Sequence, residues 1–250
     1  MIRIEGLTKK YGALTAVDGL SLQVRRGEVY GFLGPNGAGK TTAIRIITGL
    51  LKPTAGTIVV AGHDIAKEPE AAKRSLGYIA DEPRPYDKLT GREFLLTIGA
   101  LYGLPEAKRR ARADELMEFF GLEAWADELS ESYSHGMRQK LMIASALLHE
   151  PEVIVADEPL VGLDPASARK LRELFRSLAT QGKTVLLATH ILEIAERLCD
   201  RVGIMGKGRL LEEGSVGELR DRLKRPGQNL EEIFLELTGG PAPEQPEGAP

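Results

Sequence analysis

The sequence predicts an α/β protein with a mainly parallel sheet packed between helices and a helical lobe inserted into that core. Three observations carry the prediction. Short β-branched runs alternate with helical patterns, and strands are expected at residues 2–4, 21–24, 28–33, 57–60, 76–80, 153–156, 184–189, 201–205 and 209–213. Residues 153–156 read Val-Ile-Val-Ala, apolar throughout, as a strand covered on both faces should be. From about residue 86 to residue 150 the alternation stops and the pattern turns helical.

The individual elements follow from local chemistry. Leu171, Leu174, Phe175 and Leu178 recur at i, i+3, i+4 and i+7, which gives a helix one buried face. Gly182 and Lys183 end it before the next strand. Strand–helix–strand succession of this kind builds parallel sheets, because the crossover must return the chain to the same edge. Within the lobe, helices are expected at 105–120 and 135–150. Residues 239–250 hold four Pro and three Gly and cannot build a core. One domain is therefore expected over 1–238, with the lobe at 86–150 inside it and a disordered tail at 239–250.

Composition narrows the function classes. The 250 residues are 42% hydrophobic and 28% charged, and 33 basic against 36 acidic residues leave a net charge of −3. No general basic field exists to hold nucleic acid, so none is expected as a partner. The one cysteine, Cys199, has no internal partner for a disulfide and reads as a small buried hydrophobe. The N-terminus lacks the apolar core of a signal peptide. No apolar run approaches the ~20 residues of a spanning helix.

Two motifs carry chemistry. Gly34, Pro35, Asn36, Gly37, Ala38, Gly39, Lys40 and Thr41 match the phosphate-loop pattern G-x-x-x-x-G-K-[ST]. The pattern follows an expected strand and precedes a helical stretch that starts near Lys40 and continues through Thr42. In that context backbone N–H groups and a helix N-terminus surround phosphates. Lys40 reaches the β- and γ-phosphates of ATP, and the Thr41 hydroxyl holds Mg²⁺. Residues 153–158 form the second motif, an apolar strand ending in Asp157 and Glu158. Asp157 can meet the Mg²⁺ on Thr41, and Glu158 can serve as general base toward water. A surface acidic pair that opens a turn at Pro159 is the alternative reading.

A third element gives the chain a family likeness. Residues 133–140 read Tyr-Ser-His-Gly-Met-Arg-Gln-Lys, similar to the L-S-G-G-Q signature that begins a helix just upstream of the Asp-Glu strand. The chain thus resembles the ABC ATPase family over about residues 2–238. The resemblance implies a P-loop NTPase core with an N-terminal antiparallel β subdomain. It also implies a head-to-tail dimer with a second copy or a related ABC subunit. Each ATP would lie between one phosphate loop and the Ser134 and Gly136 of the opposite subunit. Ser134 is equally suited to cap a helix, and both roles are compatible. By the same resemblance Tyr11 stacks on adenine, with a buried strand-end tyrosine as the alternative. Gly162 and Asp164 fall in the interface loop called the D-loop, and His190 reaches the γ-phosphate.

The sequence departs from the family pattern at three positions. Asp81 stands where the family has a glutamine near Mg²⁺, and so enters the metal set with Thr41 and Asp157. His135 replaces a signature glycine and Met137 a signature glutamine. Such variants resemble subunits that pair with separate ABC-2-type permeases. The implied function is an ATP-hydrolysing subunit that drives export through an integral-membrane permease on another chain. The implied location is cytoplasmic, peripheral on the membrane's cytoplasmic face. The alternatives are a non-transport ABC ATPase and a nucleotide-sensing module with slow hydrolysis. The span from Lys40 to Asp157 is too short for the long coiled coil of chromosome-structural members. A guanine-reading Asn-Lys-x-Asp motif is absent from the sequence.

Overall fold

The computed structural model describes residues 1–223 and 229–239. The chain opens with β1 (Ile2–Tyr11), β2 (Leu14–Val24) and β3 (Val29–Leu33), and then α1 (Lys40–Ile47). Next come β4 (Ala55–Val60), β5 (His63–Asp64), α2 (Pro69–Arg74) and β6 (Leu76–Ile79). The lobe holds α3 (Gly91–Leu101), α4 (Glu106–Phe120) and α5 (His135–Leu147). After it come β7 (Val153–Asp157), α6 (Pro165–Thr180), β8 (Thr184–Thr189), α7 (Leu192–Leu198), β9 (Arg201–Gly206) and β10 (Arg209–Gly214). Helices α8 (Val216–Arg222) and α9 (Leu230–Thr238) complete the described chain.

Two sheets result. One is antiparallel, in the order β2-β1-β4-β5, and the other has six strands in the order β10-β9-β3-β8-β7-β6. Within the larger sheet every pairing is parallel except the β9–β10 hairpin. This is the expected mixed α/β architecture with an antiparallel N-terminal sheet. Alternation along β7 and β8 divides the interior. Val153, Val155, Leu186 and Ala188 face the antiparallel sheet and α1, whereas Ile154, Ala156, Val185 and Leu187 face the other side, with Leu171 and Phe175 of α6. Both faces are therefore apolar, which is why residues 153–156 carry no polar alternation.

The expected elements needed four adjustments. The runs at 2–4 and 21–24 are only the most apolar parts of the long strands β1 and β2. Register shifts after Ile4 and after Leu7 break the period of two, and the stretch to Tyr11 is polar. Helix α3 was not anticipated as a separate element. Its signal is the capping box of Thr90 and Glu93, whose side chains each accept from the other's backbone N–H. Helix α5 stops at Leu147 rather than 150, and Glu150 turns the chain with a φ of 55° before Pro151. Glu28 precedes β3 instead of starting it, because its buried carboxylate accepts from Arg25 N at 2.6 Å and pairs with Arg201 at 3.1 Å. Of the expected tail, 240–250 lies outside the described residues, and Gly239 is the left-handed cap of α9.

Candidate functional site

The glycine-rich segment lies between β3 and α1, so the parallel sheet delivers it to the C-terminal end of a central strand. Gly39 caps α1 with a φ of 101°, and a β-carbon there would fall 2.4 Å from the Ala16 carbonyl oxygen. Only glycine satisfies both the backbone angle and the approach. An open groove of about 500 Å³ runs along the segment. It is lined by Tyr11, Leu14, Thr15 and Ala16, by residues 36–42, and by Lys207 and Gly208, the latter packed against Ala16. Tyr11 is 48% exposed, which excludes the buried-tyrosine reading, and Lys9 Nζ lies 5.1 Å from its ring centroid.

Lys40 is buried, and its ammonium donates to the Gly34 carbonyl at 2.5 Å and to the Pro35 carbonyl at 3.2 Å. Burial pulls its pKa down, opposed by the charges of Glu158 and Asp157. Asp157, the last residue of β7, is 2% exposed. Burial pushes its carboxyl up to about 6, aided by the negative charges of Asp81 and Glu158 and opposed by a Thr41 hydrogen bond and Lys40. Its Oδ2 is buried without a hydrogen-bond partner among the described residues. A carboxylate oxygen left bare beside a threonine hydroxyl fits a hard divalent cation such as Mg²⁺. Asp81 is exposed, just past the end of β6, and reaches this centre through its charge.

Glu158 follows in a left-handed conformation, with a φ of 48°. Its N–H donates to the Ala188 carbonyl at 2.9 Å, tying it to the end of β8. Its carboxylate accepts from the Thr189 hydroxyl at 2.9 Å and from the His190 N–H at 2.9 Å. His190 Nδ1 lies 2.7 Å from Glu158 Oε1. The arrangement thus gathers a buried ammonium, an unsatisfied carboxylate and an oriented second carboxylate at the ends of neighbouring parallel strands. Such a set can bind a polyphosphate, neutralise it and polarise a water molecule.

Ser134 and Gly136 stand apart from the groove, at the start of α5. Ser134 caps that helix by accepting from Met137 N at 3.3 Å. This start is packed on the segment after Glu158: a β-carbon built on Gly162 would lie 2.5 Å from His135 Cδ2. Gln139 donates to the Pro159 carbonyl at 3.3 Å, and Lys140 lies 3.4 Å from the Asp164 carboxylate. Asp164 caps α6 through Ser167, and those bonds hold its carboxyl well below the usual range. Leu14, Thr15, Ala16, Lys207 and Gly208 were not foreseen as groove residues. The Lys-Gly pair between two strand candidates signals a tight hairpin turn, but nothing local tells where that turn docks.

Comparison with known proteins agrees with this geometry. Residues 17–161 match the family described as ABC transporter. The chain is 43% identical over 234 residues to the daunorubicin/doxorubicin resistance ATP-binding protein DrrA of Streptomyces peucetius, covering 94% of this chain and 70% of that protein. It superposes on a solved ATP-binding subunit of an ABC transporter with a TM-score of 0.90 at 36% identity, covering 95% of this chain and 99% of that one. A dimeric ATP-binding cassette in a post-hydrolysis state, bound to ADP and Pi, gives a TM-score of 0.79 at 28% identity, covering 86% of this chain and 98% of that one.

Proposed function

The chain belongs to the ABC transporter family as an ATP-binding, ATP-hydrolysing subunit of the export type, and from that membership we propose the following division of labour within it. Residues 1–238 act as one ATPase domain, with the lobe at 86–150 passing motion to an integral-membrane permease on a separate chain. Among the described residues no helix is long and apolar enough to cross a membrane. Pairing with such a permease would hold this subunit at the cytoplasmic face.

In the groove, Tyr11 stacks on adenine, and residues 34–42 wrap the phosphates with backbone N–H groups from Asn36, Gly37, Ala38 and Gly39 and with the Thr42 side chain. Lys40 leaves its carbonyl partners and binds the β- and γ-phosphates. Thr41 and Asp157 hold Mg²⁺, with Asp81 nearby; when bound, the cation supplies positive charge to the phosphate oxygens. Glu158 accepts the proton of the attacking water, and His190 fixes the orientation of that carboxylate while its exposed side faces the γ-phosphate. Ser134 and Gly136 receive the γ-phosphate of a second subunit's ATP, which explains why one chain keeps them away from its own groove. Solved relatives that are dimeric support the pairing of two such subunits.

The observation that carries the reading is the Glu158 carboxylate held by Thr189 and His190 beside a buried lysine and an unsatisfied aspartate. Two measurements test it. Lys40→Ala should abolish tight MgATP binding in a titration, and retention of normal affinity would overturn the groove assignment. Purification with its membrane partner, followed by identification of that chain and reconstitution, should give permease-stimulated ATP hydrolysis. An unstimulated rate in the reconstituted pair would remove the transport role.

A further inference from the structure

The β9–β10 hairpin tip is built into the nucleotide groove, although no motif in the sequence marks it. Lys207 and Gly208 form the two-residue turn, with φ angles of 49° and 81°. Gly208 N donates to the Ala38 carbonyl at 3.0 Å, and the Gly208 carbonyl accepts from Asp18 N at 2.8 Å. The tip is therefore bonded to the phosphate loop on one side and to β2 on the other. A β-carbon built on Gly39 would lie 3.5 Å from Gly208 Cα, so the turn stands against the residue that caps α1. Arg209 is occupied by Asp18, which keeps that acid from claiming the neighbouring lysine. Lys207 lines the groove, is exposed, and forms no ion pair among the described residues.

The groove thus has two cations with different stations. Lys40 sits at its inner end, close enough to Asp157 and Glu158 for their charges to act on it. Lys207 lines the same groove from the hairpin turn, whose Gly208 stands against Ala16 and Gly39. A nucleotide with its base at Tyr11 and its terminal phosphate at Lys40 puts its first phosphate between them. Resting on the groove assignment above, we propose that Lys207 is a second phosphate-binding cation, contacting the α-phosphate of the bound nucleotide from the hairpin tip. Its backbone is fixed by the turn, while its flexible stem allows the ammonium to follow the ligand.

The test is a set of affinities for ATP, ADP, AMP and adenosine, measured by competition against a fluorescent ATP analogue. Lys207→Asn removes the charge and suits the left-handed turn conformation; Lys207→Arg keeps the charge. Lys207→Asn should weaken ATP, ADP and AMP by a common factor of about two- to fivefold at low ionic strength, the scale of an exposed ion pair. Adenosine should be unaffected, and added salt should shrink the loss. Lys207→Arg should bind all four as the wild type does. Equal affinities for Lys207→Asn and wild type would overturn the proposal. So would a loss shared by adenosine, which would locate the contact on base or ribose. A loss for ATP and ADP that spares AMP would also overturn it, by moving the contact beyond the α-phosphate. Lys40→Ala is measured alongside. If it fails to bind ATP while wild type binds, a flat Lys207 series defeats this inference alone; if it binds normally, the groove assignment itself fails.

Discussion

His190 meets the Glu158 carboxylate twice, through its backbone N–H at 2.9 Å and its ring Nδ1 at 2.7 Å, both on the same oxygen. An ionised carboxylate only accepts, so Nδ1 must carry the hydrogen. That fixes the tautomer and leaves Nε2 free on a side chain that is 58% exposed. Glu158 itself has the left-handed backbone that β-carbons disfavour. The two strands thus hold a strained acid in one orientation, with a histidine as its brace.

His190→Ala should therefore disable hydrolysis without disabling binding. The backbone N–H and the Thr189 hydroxyl still reach the carboxylate, but the ring that limits its swing is gone. Hydrolysis should fall about 10²-fold or more, the scale of a misoriented general base. ATP affinity should stay within about tenfold, or 1.4 kcal/mol. Single-turnover hydrolysis beside an ATP titration measures both. An unchanged single-turnover rate would show that Glu158 needs no brace.

Glu158→Gln should separate dimer formation from turnover. The amide keeps the shape of the carboxylate but cannot take a proton from water, so hydrolysis should fall by about 10²–10⁴. Lys40, Thr41 and Asp157 remain to hold MgATP. ATP that persists between two subunits favours the closed pair by its differential affinity for that state. Sedimentation with saturating ATP should show a dimer for Glu158→Gln and a monomer for Glu158→Gln/Ser134→Arg, whose long cation obstructs the α5 start. A monomeric single mutant, both alone and with the permease, would sink the sandwich arrangement.

What the sequence disclosed depends on the range of the interactions involved. The loop at 34–41, the Asp157–Glu158 pair and the parallel strands are written in contiguous residues, because their geometry comes from local backbone and one strand's burial. The pairing of Glu158 with His190 spans 32 positions and is visible only once β7 and β8 lie side by side. The same holds for Gly208 against Ala38, and for His135 against Gly162. Helix α3 was hidden for another reason: residues 86–104 mix glycine, charge and aromatic side chains without a clean period, so only its capping box marks the start.

Asp81 should matter for coupling more than for affinity. It is exposed, and its charge adds to the burial that raises the Asp157 pKa. Asp81→Ala removes that charge but no phosphate contact, so ATP binding should stay within about tenfold, 1.4 kcal/mol. Turnover coupled to transport in the reconstituted system should drop. Full coupled turnover in Asp81→Ala would reduce the residue to a loop carboxylate.

The joint between lobe and core should give the protein an acid-sensitive stability. His149 follows α5, stacks on Tyr102 with ring centroids 3.7 Å apart and an interplanar angle of 13°, and has Nε2 3.1 Å from the Leu76 carbonyl. That carbonyl only accepts, so the neutral ring carries its hydrogen on Nε2. Burial pulls its pKa from 6.5 down to about 4, against the Leu76 hydrogen bond and with help from the charge of Lys183. Because the folded pKa is depressed, the unfolded chain binds a proton that the folded chain refuses between those two values. Stability contributed by the neutral ring is thus complete above pH 6.5 and declines as pH falls toward 4, by about 3 kcal/mol in the limit. Urea melts of wild type and His149→Gln from pH 4.5 to 7.5 check the sign. Gln keeps an N–H donor for Leu76 but does not titrate, and the carboxylates shared by both proteins cancel in the difference. The wild type should lose stability more steeply than the variant as pH falls through 6. Parallel curves would mean that the ring accepts its proton in place, with the lobe adjusting around it.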